Sequence, residues 1–243
     1  METKGITTTI VLTISLFFGI EGASGARTQD QREAQTAIEE DLEREDIEGI
    51  WIESRDGILI LGGRPRNVFV RDQALEIALE HVEAVESEME IAAPENEREL
   101  GKDIIEAVRR YSRLDVFDDV NAYVNEGKVA LFGYVTEPYK SSDLENRMKD
   151  ILGIQDFENK LEVLPASLAD QELRLLLARR IYGDSMFEAY ANMVHPPIRI
   201  IVKNSRVLLT GVVRGQLEKS KALSIVRSTF GVITVEDRLR TEN

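Results

Sequence analysis

The chain has no cysteine among its 243 residues. That excludes disulfides, thiolate metal sites and a cysteine nucleophile. It also excludes a bacterial N-terminus lipid-modified at a cysteine. Histidine is almost as scarce, occurring only at His81 and His195. His81 reads as a surface residue at a turn. His195 precedes Pro196-Pro197, with no nucleophile-elbow glycine pattern nearby. Phosphate-cradling loops are missing too: Gly62-Gly63 is followed neither by Gly-Lys-Ser/Thr nor by the x-x-Gly of a dinucleotide fingerprint. Carboxylates are plentiful, but Glu39-Glu40-Asp41 and Asp118-Asp119 lack the alternating spacing and turn glycine of a calcium loop. They read as a solvated acidic face. The expectation is a non-enzyme with no cofactor, no metal and no small-molecule substrate.

The first 26 residues differ from the rest. Lys4 precedes an apolar run from Ile10 to Ile20, and the small residues Ala23, Ser24, Gly25 and Ala26 follow. This is the layout of a signal peptide over residues 1–26, cleaved after Ala26. The alternative is a retained anchor, although the run is shorter than the roughly 20 residues a spanning helix needs.

What is present is a repeat. Asp56–Gly63, Glu126–Gly133 and Asn204–Gly211 are turn-then-strand runs, each ending on a glycine. Gly63, Gly133 and Gly211 read as structural glycines, supplying a bulge or positive φ where the chain leaves a sheet. A period this long is one small domain rather than one solenoid turn. A helical apolar stripe precedes each run: Ala34, Ala37, Ile38, Leu42; then Ile104, Ile105, Val108, Tyr111; then Leu173, Leu176, Leu177, Ile181. Strands follow at Ile50–Ser54, Val120–Val124 and Ile198–Val202. Tight turns at Arg55-Asp56-Gly57, Asn125-Glu126-Gly127 and Lys203-Asn204-Ser205 close hairpins. A second helix comes next, from about Ser141 to Leu152 with Leu144, Met148 and Leu152 inward. In the third repeat it runs from about Gln216 to Phe230, offering Leu217, Leu223, Val226 and Phe230 to the core. Alternating closing strands end each repeat, at Glu86–Ile91, Phe157–Val163 and Val235–Arg240, with one face buried and one wet.

The predicted fold class is therefore α+β: three tandem αββαβ modules, each a three-stranded mixed sheet with its helices on one face. The modules span residues 31–93, 97–165 and 169–242. In the first, His81 stands where Gly153 and Gly231 stand in the others, which places a two-residue deletion near Arg64-Pro65-Arg66.

The turn-strand-glycine run, the charged helix and the closing pattern resemble the BON domain, found in the bacterial osmotically inducible periplasmic protein Y family. The closing segments Gly153–Leu161 and Gly231–Leu239 match that pattern well, whereas the first repeat lacks the second glycine. The resemblance implies export to the cell envelope, no catalysis, and association with phospholipid membranes or other envelope proteins.

Charge separates the copies. Residues 27–96 hold 7 basic and 19 acidic residues, residues 97–168 hold 10 and 15, and residues 169–243 hold 12 and 8. An acidic chain avoids nucleic acid, but the last module is an exception at one end. Arg206, Arg214, Lys219, Lys221 and Arg227 gather on its hairpin and second helix as a candidate lipid- or partner-binding set. The leading expectation is a periplasmic, stress-related protein binding anionic phospholipid through this repeat. The alternative is a protein-interaction or chaperone-like factor, including self-association between oppositely charged repeats. The segment Phe187–Val194 is peculiar to the third repeat. Phe187, Tyr190 and Met193 either pack on the core or the second repeat, or form an exposed aromatic patch at a lipid interface.

Overall fold

A computed structural model describes residues 24–242, with side chains from Asp30 onward. The expected leader at 1–26 lies outside the described residues apart from its last three. Among the described residues, no helix is long and apolar enough to cross a membrane.

The order α-β-β-α-β occurs three times. The first module comprises α1 (Ser24–Arg44), β1 (Ile50–Arg55), β2 (Ile58–Gly63), α2 (Val68–His81) and β3 (Val85–Met89). The second comprises α3 (Glu97–Arg109), β4 (Asp119–Asn125), β5 (Lys128–Val135), α4 (Pro138–Met148) and β6 (Asp156–Val163). The third comprises α5 (Leu168–Tyr182), a 3-10 turn and short helix α6 (Glu188–Ala191), β7 (Ile198–Lys203), β8 (Arg206–Val213), α7 (Gln216–Arg227) and β9 (Thr234–Thr241). Each module holds one three-stranded mixed sheet with its hairpin strands first and its closing strand beside the second. The hairpins close on residues with positive φ, such as Asp56 and Gly57, or Asn204 and Ser205, as two-residue hairpin turns require.

By compactness the chain divides into two units: residues to Leu100 with Ile151–Phe157, and Gly101–Asp150 with residues from Glu158 on. In the first unit, Ile38 and Leu42 of α1 and Ala74, Ile77 and Ala78 of α2 cover Ile52, Leu59 and Leu61 of the sheet. In the second, the largest core lies between α5, α7 and the third sheet, centred on Leu177, Ile181, Ile200, Leu209 and Val226. The other face of that sheet is also covered, because Ile201 and Leu208 pack against Leu164 and Tyr134. The apolar runs in β7 and β8 therefore read as continuous rather than alternating. The open edge of β7 is covered as well: Ile200 N donates to Val116 O at 2.7 Å, and Arg199 donates to Asp115 O at 2.9 Å.

Several expectations are corrected. The two-residue deletion is not at Arg64-Pro65-Arg66, since Val68, Pro138 and Gln216 each begin a helix five residues after the strand glycine. The shortening lies at the helix exit, where only residues 82–84 separate α2 from β3, against 149–155 and 228–233 in the other modules. Those longer exits turn on Gly153 (φ 78°) and Gly231 (φ 93°), whereas Val82 leaves α2 extended at φ −139°. The first module thus lost the left-handed turn itself. Leu152, Leu217 and Phe230 are exposed rather than core residues. α4 stops at Met148 and α7 at Arg227, so Leu152 and Phe230 fall past the last helical turn, whereas Leu217 lies in the first turn of α7 on its outer side. Ile151 and Ile225 are buried instead. Phe187 and Tyr190 are buried in the third module's core, which removes the exposed aromatic patch. Asp118 is not part of a solvated acidic face, for it is 2% exposed.

Candidate functional site

The five basic residues singled out in the third module do not form one patch. Arg206 opens β8 and Arg214 lies just past its end, roughly 26 Å away at about 3.3 Å per residue. Lys219 pairs with Asp237 at 3.0 Å, and Lys221 pairs with Asp184 at 2.9 Å. The hydrogen bond from Lys221, with that from the Met186 amide, holds the Asp184 carboxyl below its ordinary value. Arg214 lies over the Tyr190 ring, 5.4 Å from its centroid. Of these five, Arg206 and Arg227 are exposed and have no ion pair or ring contact among the described residues.

Two of this module's exposed apolar side chains lie near those arginines; others, such as Leu168, Val194 and Leu217, lie elsewhere. Phe230 is 97% exposed and Ile233 72%, in the turn that follows Arg227. Ile233 N donates to Ser205 O at 2.9 Å, tying that turn to the hairpin next to Arg206. Arg206, Lys203, Tyr134 and Ile233 line a cavity of about 600 Å³. These residues bring cations and unburied hydrocarbon together.

A second cavity, of about 620 Å³, is lined by Thr136, Tyr139, Lys140, Leu168 and Arg174. Beneath it lies a buried polar cluster. The Asp118 carboxylate accepts from Lys140 Nζ at 2.6 Å, Thr136 N at 2.8 Å and Asp115 N at 2.9 Å. Burial opposes the Lys140 charge, but the hydrogen bond and charge of Asp118 outweigh it, so its pKa is raised. Burial, and then the Asp118 charge, raise the Asp115 pKa. Arg174 Nη2 donates to Val202 O at 2.8 Å, and burial lowers its pKa. Lys140 is held chiefly by Asp118 and also lies 3.4 Å from Asp115 Oδ2, which makes the cluster a lock between the segment leading into β4 and α4. Sequence reasoning missed it; the signal was Lys140 four residues after Thr136, the residue pair that closes on Asp118.

The histidines stand apart. His81 and Asp41 share a hydrogen bond of 2.7 Å, which is the main reason the Asp41 pKa is lowered. His195 is exposed. Among the described residues, no group of three or more His, Cys, Asp or Glu could hold a metal ion. The three strand glycines have φ of 125°, 124° and 111°. A Cβ on Gly63, Gly133 or Gly211 would lie 2.1, 1.9 or 1.8 Å from a backbone carbonyl oxygen of the neighbouring strand or the residue before it. That contact accounts for these glycines structurally.

The sequence profile of the BON domain matches residues 30–93 and 187–243. The match takes in the first module, where the quoted closing pattern is incomplete, and leaves out the second, where it is clear. No curated protein matches the chain. Among solved structures, the C-terminal domain of CdsD, a structural protein of the Type III secretion system of Chlamydia trachomatis, is 14% identical. That comparison covers 86% of this chain and 96% of that chain, with a TM-score of 0.25. The periplasmic domain of the inner membrane protein PrgH from S. typhimurium is 12% identical, covering 83% of this chain and 100% of that chain, with a TM-score of 0.21. At such TM-scores the likeness carries no argument about assembly or function.

Proposed function

Because the chain is a BON domain protein, we propose that it is a non-catalytic protein of the cell envelope whose modules bind protein partners in the periplasm. The observation that carries this reading is the exit turn of α7, where Phe230 and Ile233 stand 97% and 72% exposed within four residues of one another. Large exposed apolar side chains grouped on one element mark an interaction site. The leader-like first 26 residues and the resemblance to exported BON proteins support the location. A photo-reactive amino acid placed at position 230 in cells is expected to give discrete protein adducts in the envelope fraction. Absence of protein adducts there would overturn the reading.

A second reading is favoured by Arg206 and Arg227, the two of the five basic residues not held by a neighbour, which flank the same turn. Next to an anionic bilayer each contributes about 1 kcal/mol. Binding to anionic vesicles is then expected to weaken with salt and to be lost in the Arg206→Glu, Arg227→Glu double variant. Lys219→Glu with Lys221→Glu, residues already held in ion pairs, is expected to leave it unchanged. Equal binding to neutral vesicles would rule this reading out.

A further inference from the structure

One contact inside the first unit supplies a template. The segment Ile151–Phe157 sits on the head of α2. Val68 N donates to Ile154 O at 2.8 Å and Gly153 N donates to Arg66 O at 3.2 Å. Asn67 Nδ2 donates to Ile151 O at 3.1 Å. The Phe69 and Phe157 rings lie 5.0 Å apart, and Ile154 is fully buried. Val68 is the first residue of α2, and its amide has no partner within its own helix. The seated segment provides one.

Counted from the strand glycines, the head Arg66–Phe69 recurs as Thr136–Tyr139 and as Arg214–Leu217. The segment around Gly153 recurs around Gly231, as residues 229–235. The copies differ in what they can do. The first module lost this turn at its helix exit. The α4 head begins with Pro138, which has no N–H to give. The α7 head begins with Gln216, which has one, and its N-cap Gly215 makes no side-chain cap. A Cβ on Gly215 would meet nothing within 4 Å, and Leu217 is 73% exposed. In the turn, Val232 is only partly buried where Ile154 is fully buried. Val232 O receives no hydrogen bond among the described residues. Arg214 N is taken, donating to Tyr190 Oη at 3.1 Å and Glu218 Oε2 at 2.9 Å, and Val232 rests on the module's core. The head is therefore open at Gln216 N and Leu217, and the turn at Val232 O.

We infer that the turn at residues 229–235 of one copy seats on the α7 head, residues 214–217, of a second copy. Gln216 N donates to Val232 O, as Val68 N does to Ile154 O, and Leu217 and Ile233 become covered. This rests on the protein-binding reading and names the partner as a second copy of the chain. Gly215 lacks the Asn67 amide, so the contact has one hydrogen bond fewer than its template. Head and turn lie at opposite ends of α7, about 18 Å apart at 1.5 Å per residue. The contact is heterologous, and each joined pair keeps a free head and a free turn.

The test is sedimentation of the full chain between about 1 μM and about 1 mM, with Leu217→Asp as the head variant and Ile233→Asp as the turn variant. The mass of the unaltered chain is expected to rise with concentration. Each variant alone is expected to associate at least about tenfold more weakly. Mixed in equal amounts they are expected to form a dimer and nothing larger, since one supplies an intact turn and the other an intact head. A misfolded variant cannot produce that complementation. A chain that stays monomeric throughout, association unchanged in both variants, or a mixture that does not pair would each overturn the inference. So would a monomeric chain that loses binding to phosphatidylglycerol vesicles on Ile233→Asp, which would assign the turn to lipid. Adducts to other proteins from position 230 of a strictly monomeric chain would overturn self-association and leave the protein-binding reading in place.

Discussion

The Lys140 ammonium lies 2.6 Å from the Asp118 carboxylate, and their side chains are 4% and 0% exposed. Breaking a buried pair by removing one partner leaves an uncompensated charge, at a cost of about 3–5 kcal/mol. Lys140→Met is expected to destabilise by that amount in urea denaturation. Asp118→Leu combined with Lys140→Met is expected to cost less than Lys140→Met alone, because neither charge is then stranded. A Lys140→Met cost below about 1 kcal/mol would show that the pair is hydrated in solution.

Alkaline pH is expected to weaken the second unit through two groups. The folded Lys140 pKa is raised above 10.5, so its contribution is complete below the unfolded value and is lost as pH rises through the folded one. Tyr111 is pushed from 10.0 up to about 12 by burial, and then by its hydrogen bond to Asp143. Its folded form holds a proton that the unfolded chain releases, so stability again falls as pH rises from about 10 towards 12. Denaturation measured across pH 9–12 is expected to show a negative slope that becomes shallower in Tyr111→Phe. An unchanged slope would remove Tyr111 from the account.

Asp170 is 1% exposed and divides its carboxylate between two amides of one turn. Oδ2 accepts from Asn204 N at 2.7 Å, and Oδ1 accepts from Ser205 N at 2.8 Å. Asp170→Ala removes two hydrogen bonds to a charged acceptor from a partly exposed turn, which is expected to cost about 1.5–3 kcal/mol. Amide exchange at Asn204 and Ser205 is expected to accelerate more than exchange in the β8 interior. Uniform acceleration across the module would mean that the carboxylate holds the whole fold rather than the turn.

The module order was legible because hairpin turns, strand alternation and helical stripes are local signals, and all three copies repeat them. The three glycines set the register, and the β-pairing of Ile50 with Gly63 and of Ile198 with Gly211 follows it. The ends of helices were not legible: Leu152 and Phe230 lie in register with the helical stripes but beyond the last turn. Burial of Asp118 could not be read locally, since it depends on Lys140, 22 residues along the chain. The basic set failed as a patch for a similar reason. Net charge counts Lys219 and Lys221 but not the partners Asp237 and Asp184 that folding brings to them.

Two glycine-to-alanine changes are expected to act in opposite directions. Gly211 has φ 111°, and a Cβ there would lie 1.8 Å from the Pro197 carbonyl oxygen. That oxygen belongs to backbone held beside the β7 pairing, so it cannot swing away as a flexible side chain would. The strained conformation alone costs about 1–3 kcal/mol, and the contact adds to it. Gly211→Ala is therefore expected to destabilise by at least about 2 kcal/mol. Gly101 lies inside α3, and a Cβ there meets nothing within 4 Å. Removing a mid-helix glycine restores helix propensity worth up to about 1 kcal/mol, so Gly101→Ala is expected to stabilise. The measurement is the shift in urea midpoint at constant m. A neutral Gly211→Ala would show that the three glycines serve something other than the fold, and would reopen the strand ends as a binding site.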